Sequence, residues 1–312
     1  MSLPVRARLR ARLKRGAHRF VFPAATRGTG ALFRLAGRVA RPAVRYVPPR
    51  GSERVLVLAP HPDDEALGCG GTIALHSRAG DAVCVVIVTD GGRSRAGGRG
   101  RAEIRALRWS EAQAAVARLG PVDLRQWNLP EGRWAPEALD TRLAQVLAEF
   151  APTLVYTTSC VDFHPEHRRV AESLGRVLAA GAGRTCRAVR VYELQVPLTP
   201  VLANVAVPIG PVAAAKVRAL AAYGTQAASF GWLPRQAGYL RRLYGARGPV
   251  EVFWELAPAQ FVRLMAGYEP LGGRFRGLRL RPFSDMLAWT IGLRARRRLR
   301  ALAEGRAGGG TV

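Results

Sequence analysis

Two short stretches hold the residues whose types and spacing could do chemistry. The first is Pro60-His61-Pro62-Asp63-Asp64-Glu65, which ends an apolar run from Val55 to Ala59 and leads through a Gly-rich turn into an apolar helix. One imidazole and three carboxylates crowded at a strand tip repel one another unless a proton or a cation neutralises them. A divalent metal is the economical explanation. The second stretch is Asp162-Phe163-His164-Pro165-Glu166-His167, again after a strand-like run. Its two histidines are three apart, with Pro165 where a first helical residue sits, so both imidazoles fall near one face. Alone, His-x-x-His is a weak signal, and Asp-Asp-Glu could simply cap a helix, as Glu65 is expected to do. Both together, each at a strand end, favour a metal site. Catalytic zinc takes three N/O ligands and leaves a position for water. His61, Asp64 and His167 would supply such a set. Asp63 could then take the proton from that water, and His164 could stabilise or protonate a tetrahedral intermediate. His18 and His76 lack carboxylate company; the first reads as solvated and the second as an ordinary helix residue.

The surrounding pattern must bring the two stretches to one place. From Glu53 onward the chain alternates β and α. Strands are expected at Arg54–Ala59, Ala82–Thr89, Val122–Trp127, Thr153–Thr158, Ala188–Gln195 and Val250–Trp254. Helices are expected at Glu65–Ala79, Glu103–Leu119 (stopped by Gly120-Pro121), Pro136–Phe150, after Pro165 to about Ala180, and Val212–Tyr223. Residues 93–100 read as an Arg/Gly surface loop, and Pro197–Pro211 as irregular. Short βα units of this kind imply a mostly parallel sheet covered on both faces, and parallel neighbours present their tips on one edge. Outside this unit, residues 1–50 read as a basic extension with short helices around Pro4–Phe22 and Ala31–Val39 and a linker from Pro42 to Pro49. Residues 51–272 form the main domain, and residues 273–312 a basic closing helix and tail, helical over about 283–304.

A chain of 312 residues, 48% hydrophobic, can bury a substantial core. The four cysteines are scattered, with neither a disulfide framework nor a thiolate zinc spacing, which suits a reducing compartment. The net charge of +26 is uneven: residues 1–50 carry +13, residues 273–312 carry +8, and the middle only +5. Lysine occurs only at 14 and 216, so the excess is arginine. Basic ends could touch an anionic membrane surface or remain solvated. No aromatic–basic interleaving supports nucleic acid, which is not expected as a partner. Apolar runs fall short of a membrane span, and Arg19, Arg27 and Arg34 interrupt any secretory leader. The sequence reads as cytoplasmic, with peripheral contact to the inner membrane surface as an added expectation.

Ala59-Pro60-His61-Pro62-Asp63-Asp64-Glu65, followed by Gly68, Gly70, Gly71 and Thr72, resembles the signature of the PIG-L/LmbE-like N-deacetylases, with Pro60 where Ala is usual. Thr89-Asp90-Gly91 and Arg108-x-x-Glu111 with Leu119-Gly120 are similar to further segments of that family. Leu129-Pro130-Glu131-Gly132 and His164-Pro165-Glu166-His167-Arg168 each carry Glu where the family has Asp, and the longer Glu166 could change how a neighbouring imidazole is oriented. Tyr192-Glu193 and the run Lys216, Tyr223, Gln226 resemble the longer bacterial members. The resemblance covers roughly residues 53–255. It implies a Rossmann-like three-layer α/β fold with a mostly parallel sheet flanked by helices. It implies Zn2+ (or Fe2+) held by His61, Asp64 and His167, Asp63 as general base and His164 as oxyanion or acid group. It also implies removal of an N-acetyl group from an N-acetylglucosamine-like sugar in a glycan, glycolipid or small glycoside. Arg93, Arg95 and Arg108, with Glu131, are candidates for holding the substrate, though Arg93 and Arg95 read better as solvated loop charges. The alternatives are a metallo-amidohydrolase acting on a cell-wall or secondary-metabolite amide, and a basic protein binding an anionic surface or nucleic acid, with a vestigial pocket.

Overall fold

The computed structural model describes residues 44–94, 98–162, 164–194, 196–268 and 296–306, together with Ala31 and Leu35. Strand-forming runs of β-branched residues build one eight-stranded sheet. Its strands are β1 (Arg45–Tyr46), β2 (Arg54–Ala59), β3 (Ala82–Thr89), β4 (Asp123–Leu129), β5 (Leu154–Thr157), β6 (Ala188–Tyr192), β7 (Val205–Pro208) and β8 (Val250–Leu256), in spatial order β1-β7-β8-β6-β5-β2-β3-β4. The pairs β2/β3, β2/β5, β3/β4, β5/β6 and β1/β7 are parallel; β8 runs antiparallel between β6 and β7. The sheet is therefore mostly parallel, as the βα alternation predicts.

Side chains alternate across it because successive Cβ atoms of a strand point to opposite faces. Leu56, Leu58, Cys84, Val86, Val88 and Val155 enter one core. There they meet Leu139 and Leu143 of α3 (Pro136–Phe150), Val170 and Leu174 of α4 (Pro165–Ala179), and Phe261 and Leu264 of α7 (Pro258–Gly267). Val55, Val57, Ala59, Val83, Val85 and Ile87 enter the other. That core holds Leu67 and Ile73 of α1 (Asp64–Ala79), Ala112 and Ala115 of α2 (Arg101–Val116), and Ala219 of α5 (Ala213–Ala221). Helices on both faces of a sheet make three layers.

The order of the central strands reverses at β2. From it, β3 and β4 lie on one side, and β5 and β6 on the other. The crevice beyond the carboxyl ends of β2 and β5 is thus the topological switch point, where open α/β sheets take ligands. The two chemically loaded stretches are the segments leaving those two strands.

Some elements depart from the sequence expectations. Pro197–Pro211, read as irregular, contains β7, because Val205 to Val207 pair with β8 and are buried. The amphipathic helix α6 (Leu233–Leu243) and helix α7 lie where no element was expected. Pairing begins at Arg45, inside the stretch read as a linker. Residues 296–303 are helical, and Leu299 and Ala303 pack into the first core. The start of that expected helix, and the short helices expected nearer the N-terminus, lie outside the described residues apart from Ala31 and Leu35. Among the described residues no helix is long and apolar enough to cross a membrane.

Candidate metal centre

The polypeptide leaves β2 at Ala59 and turns sharply. Thr89, at the end of neighbouring β3, holds the Pro60 carbonyl through both its N–H (3.0 Å) and its hydroxyl (2.8 Å). Asp63 then adopts φ 125°, a conformation that side chains rarely occupy, at the position preceding α1. Its carboxylate makes no capping bond and lies instead 3.5 Å from the Arg108 guanidinium. Glu65 accepts the Asp63 N–H (3.2 Å) and so does the capping, as its position predicts. On the other side of the switch point, the segment leaving β5 reaches His164, whose Nδ1 accepts the Glu166 N–H (3.3 Å) and starts α4.

Three acceptor atoms converge between these segments. His61 Nδ1 lies 3.2 Å from Asp64 Oδ2, His167 Nε2 lies 3.3 Å from the same oxygen, and the two nitrogens are 3.3 Å apart. The far nitrogen of each ring has a carboxylate partner. His61 Nε2 is 2.6 Å from Glu166 Oε2, and His167 Nδ1 is 2.9 Å from Asp162 Oδ2. Burial works to raise Glu166, but the hydrogen bond and charge of His61 win and hold it at about 2. Asp162 is likewise held low, against its burial, by His167. Both carboxylates are therefore ionised acceptors, and the ring hydrogens are assigned to His61 Nε2 and His167 Nδ1. That leaves a lone pair on His61 Nδ1 and another on His167 Nε2, both aimed at the point Asp64 Oδ2 also faces. A tetrahedral ion with bonds of about 2.0–2.1 Å holds its ligand atoms about 3.3–3.4 Å apart. The donor set fits a divalent cation.

The electrostatics point the same way. Burial opposes charge on His61, yet Asp64 and Glu166 lift it to about 9; His167 is lifted well above its usual range by Asp64 and Asp162. Asp64 is pulled well down by His167 and His61 despite its burial. The pocket thus demands positive charge. Protons meet that demand poorly, because hydrogens on His61 Nδ1 and His167 Nε2 would face each other across 3.3 Å. A single cation has no such conflict.

The remaining expected residues ring this point. Asp63 is buried, and burial pushes its carboxyl up to about 8 against the opposing pull of Arg108, 3.5 Å away. The His164 ring centroid is 4.6 Å from that of His61 and 4.7 Å from that of His167. His164 is solvent-exposed at the mouth, and its surroundings lower it to about 4, partial burial first and the two neighbouring rings second. Glu131 Oε1 stands 4.0 Å from His61 Nε2, while its Oε2 accepts the Arg93 N–H (2.8 Å). Arg108 is 4% exposed; its terminal nitrogens donate to the carbonyls of Pro62 and Gly91 and approach Asp63, while its buried Nε has no partner. Arg95 lies outside the described residues.

Asp162 was given no role by sequence reasoning, although a carboxylate at a strand tip five residues before a candidate ligand was a readable signal. Glu166 was expected to affect a nearby imidazole; the ring it orients is the distant His61. Its other oxygen accepts the Gly132 N–H (2.6 Å) and the Trp134 indole N–H (2.9 Å). His76 is a correction: far from lacking carboxylate company, its Nδ1 lies 2.6 Å from Asp81 and its Nε2 2.9 Å from the Tyr156 hydroxyl. The sequence concealed this because the partners come from the turn after α1 and from β5.

Residues 56–178 match the family of GlcNAc-PI de-N-acetylase, PIG-L. This segment is a PIG-L family domain. The PIG-L match contains both converging segments. A 1D-myo-inositol 2-acetamido-2-deoxy-alpha-D-glucopyranoside deacetylase of Kineococcus radiotolerans is 29% identical over 192 residues, 47% of this chain and 53% of that protein. A probable N-acetyl-alpha-D-glucosaminyl L-malate deacetylase 2 of Bacillus cereus is 32% identical over 120 residues, 36% of this chain and 52% of that one. The chain spans about half the length of these two curated relatives. In fold, it resembles the N,N'-diacetylchitobiose deacetylase of Pyrococcus horikoshii, with a TM-score of 0.57 and 23% identity over 70% of this chain and 88% of the other.

Proposed function

We propose that the protein is a metal-dependent N-deacetylase that hydrolyses the acetamide of an N-acetylglucosamine-like sugar, releasing acetate and a free amine. The observation that carries this reading is the meeting of two imidazole lone pairs and one carboxylate oxygen at mutual distances of 3.2 to 3.3 Å. His61, Asp64 and His167 hold Zn2+ in this reading, Fe2+ being the other candidate. When bound, the cation supplies Lewis acidity to the amide carbonyl and acidifies water.

Asp63 takes a proton from the attacking water. Burial raises the Asp63 carboxyl, and a cation bound nearby would favour its ionised form, the one a general base needs. Arg108 fixes its orientation by holding both the Pro62 carbonyl and the Asp63 carboxylate. His164 spends Nδ1 on the Glu166 N–H, so the neutral ring carries its hydrogen on Nε2 and can donate a hydrogen bond to the oxyanion. Glu131, at the rim and with one oxygen uncommitted, accepts a sugar hydroxyl. The two curated relatives are named for substrates that carry an N-acetylated glucosamine, which favours that acyl group and that sugar.

Acetate release from a panel of N-acetylglucosamine conjugates, measured together with metal content, tests the reading. The Asp63→Ala chain should retain Zn2+ and lose about 10²–10⁴ of turnover, the usual share of a general base. Turnover near the wild-type level would overturn the mechanism. Release of a longer acyl group in preference to acetate would move the protein to the amidohydrolase alternative.

A further inference from the structure

Helix α1 is broken inside Leu67-Gly68-Cys69-Gly70-Gly71-Thr72, where Cys69 has φ −144° and ψ 20°. In an unbroken helix the N–H groups of Gly71 and Thr72 would bond to the carbonyls of Leu67 and Gly68. The break removes those rungs in a fully buried place, where unpaired backbone groups are costly. Glu251 of β8 fills the gap. Its Oε1 accepts the Gly71 N–H (2.8 Å), and its Oε2 accepts the Thr72 N–H (2.7 Å) and hydroxyl (2.6 Å). Lys216 of α5 completes the repair from the other side: Nζ donates to the orphaned Leu67 carbonyl (2.9 Å) and to Glu251 Oε1 (2.6 Å). Glu251 is 4% exposed. One buried ion pair thus replaces two rungs of helix.

The piece so hinged is short. Between the break and the crevice lie only Asp64 to Gly68, and this short first segment of the helix carries the Asp64 carboxylate and follows Asp63. A continuous helix would need no buried ion pair, which is expensive to assemble. The break therefore has a consequence for the direction of those two carboxylates. Tyr223, just past the end of α5, donates its hydroxyl to Glu65 on the same segment. Lys216 and Tyr223 accordingly hold it at two points, Leu67 and Glu65.

We propose that Lys216 and Glu251 are positioning residues: their ion pair, seated in the break of α1, sets the angle at which Asp63 and Asp64 meet His61 and His167. This rests on the proposed function, since it assigns a role toward the same metal and base.

The test uses the full chain with Lys216→Met, Lys216→Arg, and the double variant Lys216→Met/Glu251→Gln, in which no charge is left buried without a partner. Zn2+ affinity is read by competition with a chromogenic chelator, kcat and KM by acetate release, and folding by thermal melting. Lys216→Met should bind Zn2+ about tenfold more weakly and lose about tenfold in kcat, with KM within about twofold. Lys216→Arg should restore most of both. The double variant should regain melting temperature but not kcat or Zn2+ affinity, which separates positioning from mere stability. Wild-type kcat and Zn2+ affinity in a folded Lys216→Met or double variant would overturn the proposal, as would failure of both to fold. A wild-type chain that binds no Zn2+ would overturn the proposed function and the positioning role with it. A wild-type chain that binds Zn2+, with variants that match it, overturns the positioning role alone.

Discussion

The imidazoles of His61 and His167 are each aimed by a carboxylate on the far nitrogen, and that arrangement decides which lone pair is available. Asp162 has both oxygens engaged as acceptors, Oδ1 from the His164 N–H (2.9 Å) and Oδ2 from His167. An asparagine offers one acceptor, so Asp162→Asn must present an amide N–H to one of two donors. We expect Zn2+ affinity to fall about 10- to 100-fold, as for other outer partners of metal-binding histidines; chelator competition measures it. Asp63 gives a second prediction, because its backbone and its carboxylate have separate costs. Glycine tolerates φ 125° and alanine does not. Asp63→Gly and Asp63→Ala should lose turnover alike, while the glycine variant unfolds with about 1 kcal/mol more stability in urea titrations. Equal stability of the two would show that the conformation carries no strain.

The glycines of α1 are not equivalent, and their differences follow from what packs against each. A Cβ at Gly68 would lie 2.3 Å from the ring of Tyr192, whose hydroxyl is tied to the Leu58 carbonyl (2.8 Å). A Cβ at Gly70 would only touch the Lys216 stem at 3.6 Å. Gly68→Ala should therefore cost about 1–3 kcal/mol by overpacking and displace the first segment of α1, which carries Asp64. Gly70→Ala should leave stability and Zn2+ affinity close to wild type. Thermal melts with and without Zn2+ compare the pair. The two helices flanking the crevice thus differ: α4 presents His167 from its regular first turn, whereas α1 is broken at Cys69, one to two turns after Asp64.

Across the molecule, β8 links the site to the far core. Beyond the break in α1 it borders, with Glu193 and Gln236, an apolar cavity of about 320 Å³. Glu193 accepts the Leu198 N–H (2.7 Å) and the Gln236 side-chain amide (3.0 Å), and burial pushes its carboxyl up from 4.5 to about 7. A carboxyl raised on folding binds its proton more tightly in the native state, so its stabilisation is complete below about 4.5 and lost as the pH rises through about 7. Relative to wild type, Glu193→Gln should gain roughly 3 kcal/mol of unfolding free energy between those limits. Denaturant titrations across that range measure the difference; a constant offset would show that Glu193 is ionised throughout.

The βα rhythm of the sequence determined the central sheet. Arg54–Ala59, Ala82–Thr89 and Pro136–Phe150 fall at the boundaries their patterns predict, because turn residues and alternating apolar positions are local signals. The residue types at 61, 63, 64, 164 and 167, with strands ahead of both groups, likewise determined that a charged cluster would form. Strand β7 and helix α6 escaped notice because a Pro-rich stretch and a short basic helix acquire their identity from what they pack against. Only the tertiary structure decided which nitrogen of each histidine is free, since Glu166 reaches His61 across 105 positions of sequence. The same is true of Glu251 and Lys216. A broken helix inside a glycine-rich run leaves no local trace of the ion pair that closes it, because its partners are 35 residues apart from each other and far from the break. Local periodicity is written in neighbouring residues; the direction of a lone pair depends on a contact made only after the chain has folded.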